Sequence, residues 1–564
     1  MDPKQLGDVS SPVSESRLKI NARRGAHTIA HHFKRHVGVG IICSVAYFDP
    51  GNWSVDLQAG ASFGYRPMLF VVLMAGLGAI VLQTLACKLG CVTGIDLASH
   101  CRLLLHNHPR HPRLVRRLVL YPLYVLSEIA IISTDLAELL GSAIGLCLLF
   151  PKLPLWAGVV LTAADVLIFL SFSDPSRGQG RPVRLFEFTI IGLVFAVFAC
   201  FVVLLVKVEP DWPKVFMGYI PNKGLFQSEP DAVYTAVGIL GATVMPHAIF
   251  LGSSLATQDR VSDAPPEEKL PTPALAQTGK ARIHQIVRSL FRIDHTERVA
   301  SEKDCRTKHS ERENNTLSFI RQHLSHGITD VVTSLLALAV PINSAILILA
   351  ATAFHDGAVS NPNTVGLFEA HALIKERIGS AAATIFALAL VCAGQTSSIT
   401  VTLAGQIVSE GFIEWKVSPF LRRLITRCIS LVPSVVVAIA VGRNGIDNLL
   451  VASQVVLSIV LPFVAFPLIY LTSAEIVMRV RKPTPPTESS VPSQEETVPN
   501  DIAVLEIEEP TIATEKIVEK IRVEVREETV DFSNGRFLTA LSYVIWCVVL
   551  VANAYAIVML FDVR

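Results

Sequence analysis

The sequence predicts an all-α membrane protein of about eleven transmembrane helices, arranged as two five-helix repeats followed by one extra helix. Three observations predict this fold class. Apolar residues form long blocks, the first and sixth blocks are interrupted at matching positions, and basic residues gather in alternate connecting segments.

The apolar blocks account for most of the chain. Hydrophobic residues make up 51% of the 564 residues and charged residues only 17%, whereas a soluble domain usually carries about 25% charge. Buried helices of a soluble protein would be amphipathic and more highly charged. A spanning helix needs about 20 mostly apolar residues. Blocks of this kind lie at 37–58, 67–89, 118–149, 153–172, 186–208, 232–256, 331–354, 380–407, 424–441, 449–472 and 539–561.

The distribution of lysine and arginine predicts how the helices are oriented. Basic residues cluster in four segments, at 17–35, 102–117, 260–321 and 479–482, whereas the loops expected on the opposite side hold one or two each, such as Arg66, Lys152 and Arg443. Cytosolic loops are enriched in Lys and Arg. The N-terminus is therefore expected in the cytosol, and an odd number of spans places the C-terminus on the non-cytosolic side.

Polar segments divide the chain into parts. A polar tail at 1–35, which lacks the apolar core of a signal peptide, precedes a first repeat at 36–209 and a second repeat at 228–473. An acidic, proline-rich segment at 474–533 separates the second repeat from the eleventh helix at 534–562.

Two polar stretches, at 257–326 and 483–533, are expected to be largely disordered cytosolic loops. They are candidate docking sites for regulatory or trafficking partners, and the alternative is that they are solvated linkers. The net charge of +1 is too small to indicate nucleic-acid binding, for which an excess of positive charge is expected. The sequence leaves open whether the protein resides in the plasma membrane or in an endosomal or vacuolar membrane.

The first and sixth spans are interrupted in the same way. The first contains the sequence AYFDPGN at 46–52, and the sixth contains GATVMPH at 241–247. Proline removes a backbone donor and clashes with the preceding turn. Non-helical backbone survives at membrane depth only where it lines a cavity or is buried in protein. Paired interruptions are typical of transporters with inverted repeats, although a simple proline kink is the alternative at each position.

The residues at these breaks indicate a cation. Asp49 is a carboxylate at membrane depth, where a charge costs at least about 2.5–3.5 kcal/mol and requires a partner. Asn52 lies three residues further along, and unwound backbone at Ala46 or Ala242 would add carbonyl oxygens. Met245 adds a thioether, and a thioether among oxygen ligands favours transition ions over magnesium or calcium.

The third span carries three acids on one helical face, Glu128, Asp135 and Glu138. Charged groups at membrane depth face the interior of the bundle, so these acids are expected to be buried. Buried carboxylates can exchange protons near neutral pH, and His247 titrates in the same range. Arg427 is a candidate counter-charge. The alternative is a salt-bridge network that only holds the helices together.

At these residues the sequence resembles the Nramp family of proton-coupled divalent metal transporters, in a form similar to its fungal members. The resemblance covers about 36–473. It rests on DPGN at 49–52, MPH at 245–247, Glu128 with TDLAE at 134–138, and the stretch AGQTSSIT at 393–400 with AGQIV at 404–408.

The resemblance implies a LeuT-type fold and import of Mn²⁺ and Fe²⁺, with Co²⁺ and Cd²⁺ as further substrates, toward the cytosol by alternating access. It implies no enzyme activity and no cofactor. The implied metal ligands are Asp49, Asn52, Met245, Gln454 and the carbonyls of Ala242 and Ala46. The implied proton pathway uses Asp49, Asp135, Glu138 and His247, with Glu128 and Arg427 along the exit route. Because a bound metal ion would repel a proton on Asp49, we expect Asp135 to be the first acceptor, and His247 is the alternative relay. One position departs from the family pattern, since Ala248 replaces the asparagine that often follows the histidine.

Two other functions remain open from the sequence. A carrier of an organic substrate such as an amino acid would use the same fold, but Asp49 would repel a substrate carboxylate. A membrane sensor would bind the metal without moving it, and fold alone does not separate it from a transporter.

Overall fold

The computed structural model describes residues 32, 37–172, 184–227, 231–261, 309, 313–355, 365–414, 418–440, 443–482 and 528–562. The polar tail predicted at 1–35 lies almost wholly outside these residues.

The first half of the chain begins with a broken span. Its two parts are α1 (Val39–Val45) and α2 (Pro50–Phe63). The helices that follow are α3 (Met68–Thr93), the short α4 (Leu97–Leu105), α5 (Pro112–Leu149), α6 (Leu155–Phe172) and α7 (Arg184–Val208).

The second half repeats this order of elements after a short connecting helix, α8 (Trp212–Gly218). Its own broken span consists of α9 (Ala232–Thr243) and α10 (Pro246–Leu255). It continues with α11 (Leu317–Phe354), the short α12 (Leu367–Arg377), α13 (Ser380–Ile413), α14 (Pro419–Ala440) and α15 (Arg443–Ser473). Each half has an odd number of spans, so the second half enters the membrane from the opposite side, as in an inverted repeat.

The chain ends with elements outside both halves. A short helix α16 (Glu475–Met478) leads into β1 (Arg479–Arg481), which pairs antiparallel with β2 (Thr529–Asp531). The last helix is α17 (Arg536–Asp562).

The number of spans agrees with the sequence prediction. Among the described residues, nine helices are long and apolar enough to cross a membrane, and Leu155–Ser171 is a shorter apolar helix. The broken first span completes the set of eleven. The predicted fold class, an all-α multi-pass membrane protein, is confirmed.

Small residues let the helices that surround the two breaks approach closely. A Cβ on Gly60 of α2 would lie 2.4 Å from the carbonyl oxygen of Leu347 in α11. A Cβ on Gly394 of α13 would lie 2.2 Å from Ser142 Oγ in α5. Such contacts are typical of membrane helices, where association depends on close packing because lipid is as apolar as the helices.

The prediction of a disordered segment at 257–326 is wrong at its C-terminal end, because α11 begins at Leu317. The side chain of Thr316 caps this helix by accepting a hydrogen bond from the Phe319 amide. Leu317 and Ile320 are buried, whereas Ser318, Arg321 and Gln322 are exposed. These polar residues lower the local hydropathy without ending the helix, which explains the error.

The prediction of a disordered segment at 483–533 is wrong at 529–531, which form β2. Val530 pairs with Val480 of β1. A three-residue strand is too short for an alternating pattern to stand out in an acidic sequence. The rest of the two predicted loops, at 262–308, 310–312 and 483–527, lies outside the described residues.

Candidate functional site

The break in the first span is fixed by an aspartate and a proline. Asp49 is the N-cap of α2, and its Oδ1 accepts a hydrogen bond of 2.8 Å from the Asn52 amide. Pro50 occupies the first helical position, where a missing N–H is tolerated. The carbonyl of Ala46 would bond to the amide of residue 50 in a continuous helix, and proline has none to offer.

The break in the sixth span has the same construction. Met245 occupies the N-cap position of α10, and Pro246 is the first helical residue. The carbonyl of Ala242 lies four residues before this proline and is released in the same way. Asp49 and Met245 therefore hold equivalent positions in the two halves, and each half frees the carbonyl of one alanine.

Gln454 of α15 lies between the two breaks. A Cβ on Gly51 would lie 1.7 Å from Gln454 Nε2 and 3.3 Å from Asp49 Oδ2. A Cβ on Gly241 would lie 2.3 Å from the Gln454 carbonyl oxygen. The structure thus places Gln454, which the sequence assigned only by resemblance, against both interrupted spans.

Several polar atoms at this point are buried without a partner. Among the described residues, Asp49 Oδ2, Asn52 Oδ1 and both side-chain polar atoms of Gln454 make no hydrogen bond. All three residues are at most 1% exposed. More than about 90% of buried polar groups in proteins are hydrogen-bonded. A carboxylate oxygen and two amide oxygens left free together form a site suited to a desolvated cation.

The donors at the two breaks define which ions would suit the site. Carboxylate, amide and carbonyl oxygens bind hard divalent ions, and the thioether of the fully buried Met245 adds a soft donor. Within the described part of the chain, no group of three or more His, Cys, Asp or Glu side chains could hold a metal. The mixed donor set therefore differs from structural metal sites, in which several Cys, His, Asp or Glu side chains hold the ion.

Asn343 of α11 also contacts the first break, although it was not predicted as a site residue. Its side-chain amide donates a hydrogen bond of 2.6 Å to the Tyr47 carbonyl, which also accepts one of 2.6 Å from the Asn52 side chain. Asn343 Oδ1 is buried and makes no hydrogen bond within the described chain. Asn343 thus anchors the unwound segment between α1 and α2. A lone asparagine inside an apolar block was the available signal.

The end of α1 remote from the break is held by Asp330 of α11. Its Oδ2 accepts hydrogen bonds from the amides of Gly38 and Gly40, at 3.2 and 2.7 Å. Beside it, Arg260 donates to Glu187 at 2.5 Å. These contacts fix α1 against α7 and α11, and the residues around the breaks are shielded from solvent.

The acids of α5 occupy three different environments. Asp135 forms an ion pair with Arg427 of α14, which also donates to Ser398 Oγ. Glu138 is fully buried, and neither of its oxygens has a hydrogen-bond partner among the described residues. Glu128 is half-buried at the far end of the row.

Glu138 lies closest to the interrupted first span. A Cβ on Gly141, three residues after Glu138, would lie 2.0 Å from Pro50 Cβ. Glu138 is also within Coulombic range of Asp49 and Asp135. A row of acids therefore runs from Asp49 through Glu138 to the Asp135–Arg427 pair.

His247 lies in the first turn of α10 and is fully buried. Neither ring nitrogen makes a hydrogen bond to another described residue. The structure thus places a further titratable side chain two residues after Met245.

The family model described as natural resistance-associated macrophage protein-like (Nramp) matches residues 40–489. This chain belongs to the Nramp family. The matched region contains both breaks, the acids of α5, and Arg427, and it ends before α17.

Relatives of this Nramp protein include fungal proteins of similar length. The iron transporter SMF3 of Saccharomyces cerevisiae is 36% identical over 531 residues, which cover 94% of this chain and 97% of the relative. The manganese transporter pdt1 of Schizosaccharomyces pombe is 40% identical over 447 residues, which cover 79% and 76% of the two chains.

Among solved structures, that of the Eremococcus coleocola manganese transporter is similar to this Nramp protein. The two are 27% identical, and the match has a TM-score of 0.63 and covers 92% of this chain and 85% of the other. This similarity agrees with the predicted LeuT-type arrangement of two halves that each open with a broken helix.

Proposed function

We propose that this protein is a proton-coupled secondary transporter that imports divalent transition-metal ions toward the cytosol by alternating access. Mn²⁺ and Fe²⁺ are the proposed main substrates, with Co²⁺ and Cd²⁺ as further ones. The observation that supports this function most directly is the set of unpartnered buried oxygens between the two helix breaks. The protein is a transporter and not an enzyme, and the metal is its substrate and not a cofactor.

The proposed metal ligands come from both halves of the chain. Asp49 supplies the only formal negative charge, and Asn52 and Gln454 supply amide oxygens. The released alanine carbonyls and the Met245 thioether complete the set. The proposed ligands are therefore Asp49, Asn52, Gln454, Met245, Ala46 and Ala242. A thioether gains little from magnesium or calcium, so the set favours transition ions.

The proposed proton route begins at Asp49. A divalent ion that binds there repels any proton on Asp49 through like-charge repulsion. The sequence favoured Asp135 as the acceptor, but the structure favours Glu138, which is unpaired and nearer to Pro50. Asp135, Arg427 and Glu128 would carry the proton onward, and His247 is the alternative relay.

The orientation proposed from the basic segments places the N-terminus in the cytosol and the C-terminus outside it. The proposed division is a tail at 1–35, repeats at 36–209 and 228–473, an acidic segment at 474–533 and a last helix at 534–562. The plasma membrane and endosomal or vacuolar membranes are the proposed locations. We also propose the cytosolic loops 257–326 and 483–533 as sites for regulatory or trafficking partners.

The decisive experiment measures uptake of radiolabelled Mn²⁺ into proteoliposomes, with and without an inward-directed proton gradient. Uptake that accelerates with the gradient, together with acidification of the lumen that depends on Mn²⁺, is the expected result. Metal binding without uptake would identify a sensor. Uptake of an amino acid without metal transport would identify an organic-substrate carrier.

Replacing Met245 with alanine should retain part of the Mn²⁺ uptake but let Ca²⁺ or Mg²⁺ compete. The thioether contributes little to binding a hard ion, so its loss should reduce selectivity more than affinity. The measurement is inhibition of Mn²⁺ uptake by increasing Ca²⁺, with Met217→Ala on the exposed face of α8 as the matched control. Unchanged competition by Ca²⁺ in Met245→Ala would rule out the selectivity role.

A further inference from the structure

We propose that Asn553, on the helix outside both repeats, is a positioning residue that holds Gln454 at the metal site by supplying the hydrogen-bond donor that Pro462 of α15 lacks. The inference rests on the proposed ligand role of Gln454. It assigns a task in transport to α17, which lies beyond the region that the family model matches.

Pro462 lies inside the continuous helix α15 and removes one of its backbone hydrogen bonds. The carbonyl of Ser458 stands four residues earlier and would bond to the amide of residue 462, which proline lacks. An unsatisfied carbonyl at membrane depth costs several kcal/mol, so it requires a donor from elsewhere.

Asn553 of α17 supplies that donor. Its side-chain amide donates to the Ser458 carbonyl at 2.6 Å, and the Ser458 hydroxyl donates back to Asn553 Oδ1 at 2.6 Å. Both polar atoms of the Asn553 side chain thus form hydrogen bonds to the same residue, Ser458. Asn553 is 4% exposed and Ser458 is fully buried, so no solvent competes for either bond.

A second hydrogen bond joins α17 to α15 at Pro462 itself. Trp546, two turns before Asn553 on the same face, donates its ring N–H to the carbonyl of Pro462 at 2.9 Å. The Trp546 ring also packs on Phe466. The last helix therefore bonds to α15 at Ser458 and at Pro462, on both sides of the backbone hydrogen bond that Pro462 removes.

Ser458, the residue that Asn553 contacts, lies next to the proposed metal site. Ser458 lies one helical turn after Gln454, and a Cβ on Gly241 would lie 2.7 Å from Ser458 Cβ and 2.3 Å from the Gln454 carbonyl oxygen. Gly241 immediately precedes Ala242. Loss of the Asn553 contacts would free this turn of α15 to shift, and it would shift both Gln454 and its contact with the sixth-span break.

Leucine is the informative replacement for Asn553, because it removes the hydrogen bonds to Ser458 and keeps the packing. Leucine has nearly the same size and would pack well on α15, but it would leave the Ser458 carbonyl unpaired. Interhelical hydrogen bonds in membranes are individually modest. The expected consequence of losing this pair is therefore a shift in the geometry of α15 and not loss of the fold.

The test is a double-mutant cycle on Mn²⁺ uptake in proteoliposomes, using Asn553→Leu and Gln454→Ala. Asn553→Leu should raise the KM for Mn²⁺ about fivefold, as expected for one lost hydrogen bond, with a maximal rate near that of the parent. In the Gln454→Ala background, Asn553→Leu should have no further effect. Ser542→Ala is the matched control, because the hydroxyl of this buried serine bonds, among the described residues, within α17 to the Leu538 carbonyl, and the KM of this variant should stay unchanged.

The outcomes separate the inference from the ligand role on which it rests. An unchanged KM in Asn553→Leu, or additive effects in the cycle, would overturn the positioning role while leaving Gln454 as a ligand. An unchanged KM in Gln454→Ala would overturn both. If Asn553→Leu yields no folded protein, Asn553→Gln, which keeps both polar groups one methylene further out, replaces it in the same cycle.

Discussion

Replacing Asp49 with alanine should abolish Mn²⁺ uptake, to below a few percent of the parent at normal expression. Asp49 carries the only formal charge among the proposed ligands, and its Oδ2 is buried without a partner in the described structure. A divalent ion that leaves water for a buried site needs such a counter-charge, since uncompensated burial of charge is the most costly arrangement in a protein. The measurement is initial uptake of radiolabelled Mn²⁺ into proteoliposomes.

Asp49 also caps α2, so the alanine variant removes two functions at once. Asp49→Asn separates them, because asparagine is as good an N-cap as aspartate and carries no charge. We expect Asp49→Asn to fold as stably as the parent and still fail to transport. Substantial uptake by the asparagine variant would mean that the cap, and not the charge, was needed, and the proposed site would be wrong.

Replacing Glu138 with glutamine should uncouple proton flux from metal flux. Glu138 lies between Asp49 and the Asp135–Arg427 pair and has no hydrogen-bond partner among the described residues, so glutamine keeps its shape and removes only its titration. The variant should bind Mn²⁺ but move fewer protons per ion, and its uptake should depend less steeply on pH. Both fluxes are measured together in proteoliposomes.

Asp135→Asn is a less clean probe of the same route. Removing one partner of a buried ion pair typically costs about 3–5 kcal/mol, and here it would leave Arg427 unpaired. Glu128→Gln tests the half-buried end of the same route, and Glu376→Gln on the exposed face of α12 is the matched control for Glu138→Gln. If Glu138→Gln retains the parent's flux ratio and pH profile while His247→Gln changes them, then His247 is the relay.

The sequence predicted the spans and the breaks because each leaves a local signature. A run of about twenty apolar residues is visible along the sequence, and proline removes a helix hydrogen bond wherever it stands inside a helix. The positions of Asp49 and Met245 at the breaks follow from the residues next to them in the chain. The start of α11 did not follow, because its first turns expose polar residues and resemble a loop in hydropathy.

The residues that the sequence missed act through partners far away in the chain. Asn343 and Asn553 are neutral amides in apolar blocks, and neither changes the charge or the length of its span. Their importance comes from the carbonyls they satisfy, in Tyr47 and Ser458, which lie 296 and 95 residues away. Arg427 was predicted as a counter-charge, but only the packing of α14 on α5 identifies Asp135 as its partner.

In the proposed site, the equivalent positions of Asp49 and Met245 would divide the recognition of the ion between the two halves. Each stands immediately before the proline of its break, so one half contributes electrostatic attraction and the other contributes polarizability. The position that matches Asn52 is Ala248, so the second half presents no side-chain amide there. In the proposed site, affinity for the ion and discrimination between ions would thus depend on two separate residues at equivalent backbone positions. A single substitution in either half would then alter one property without changing the other.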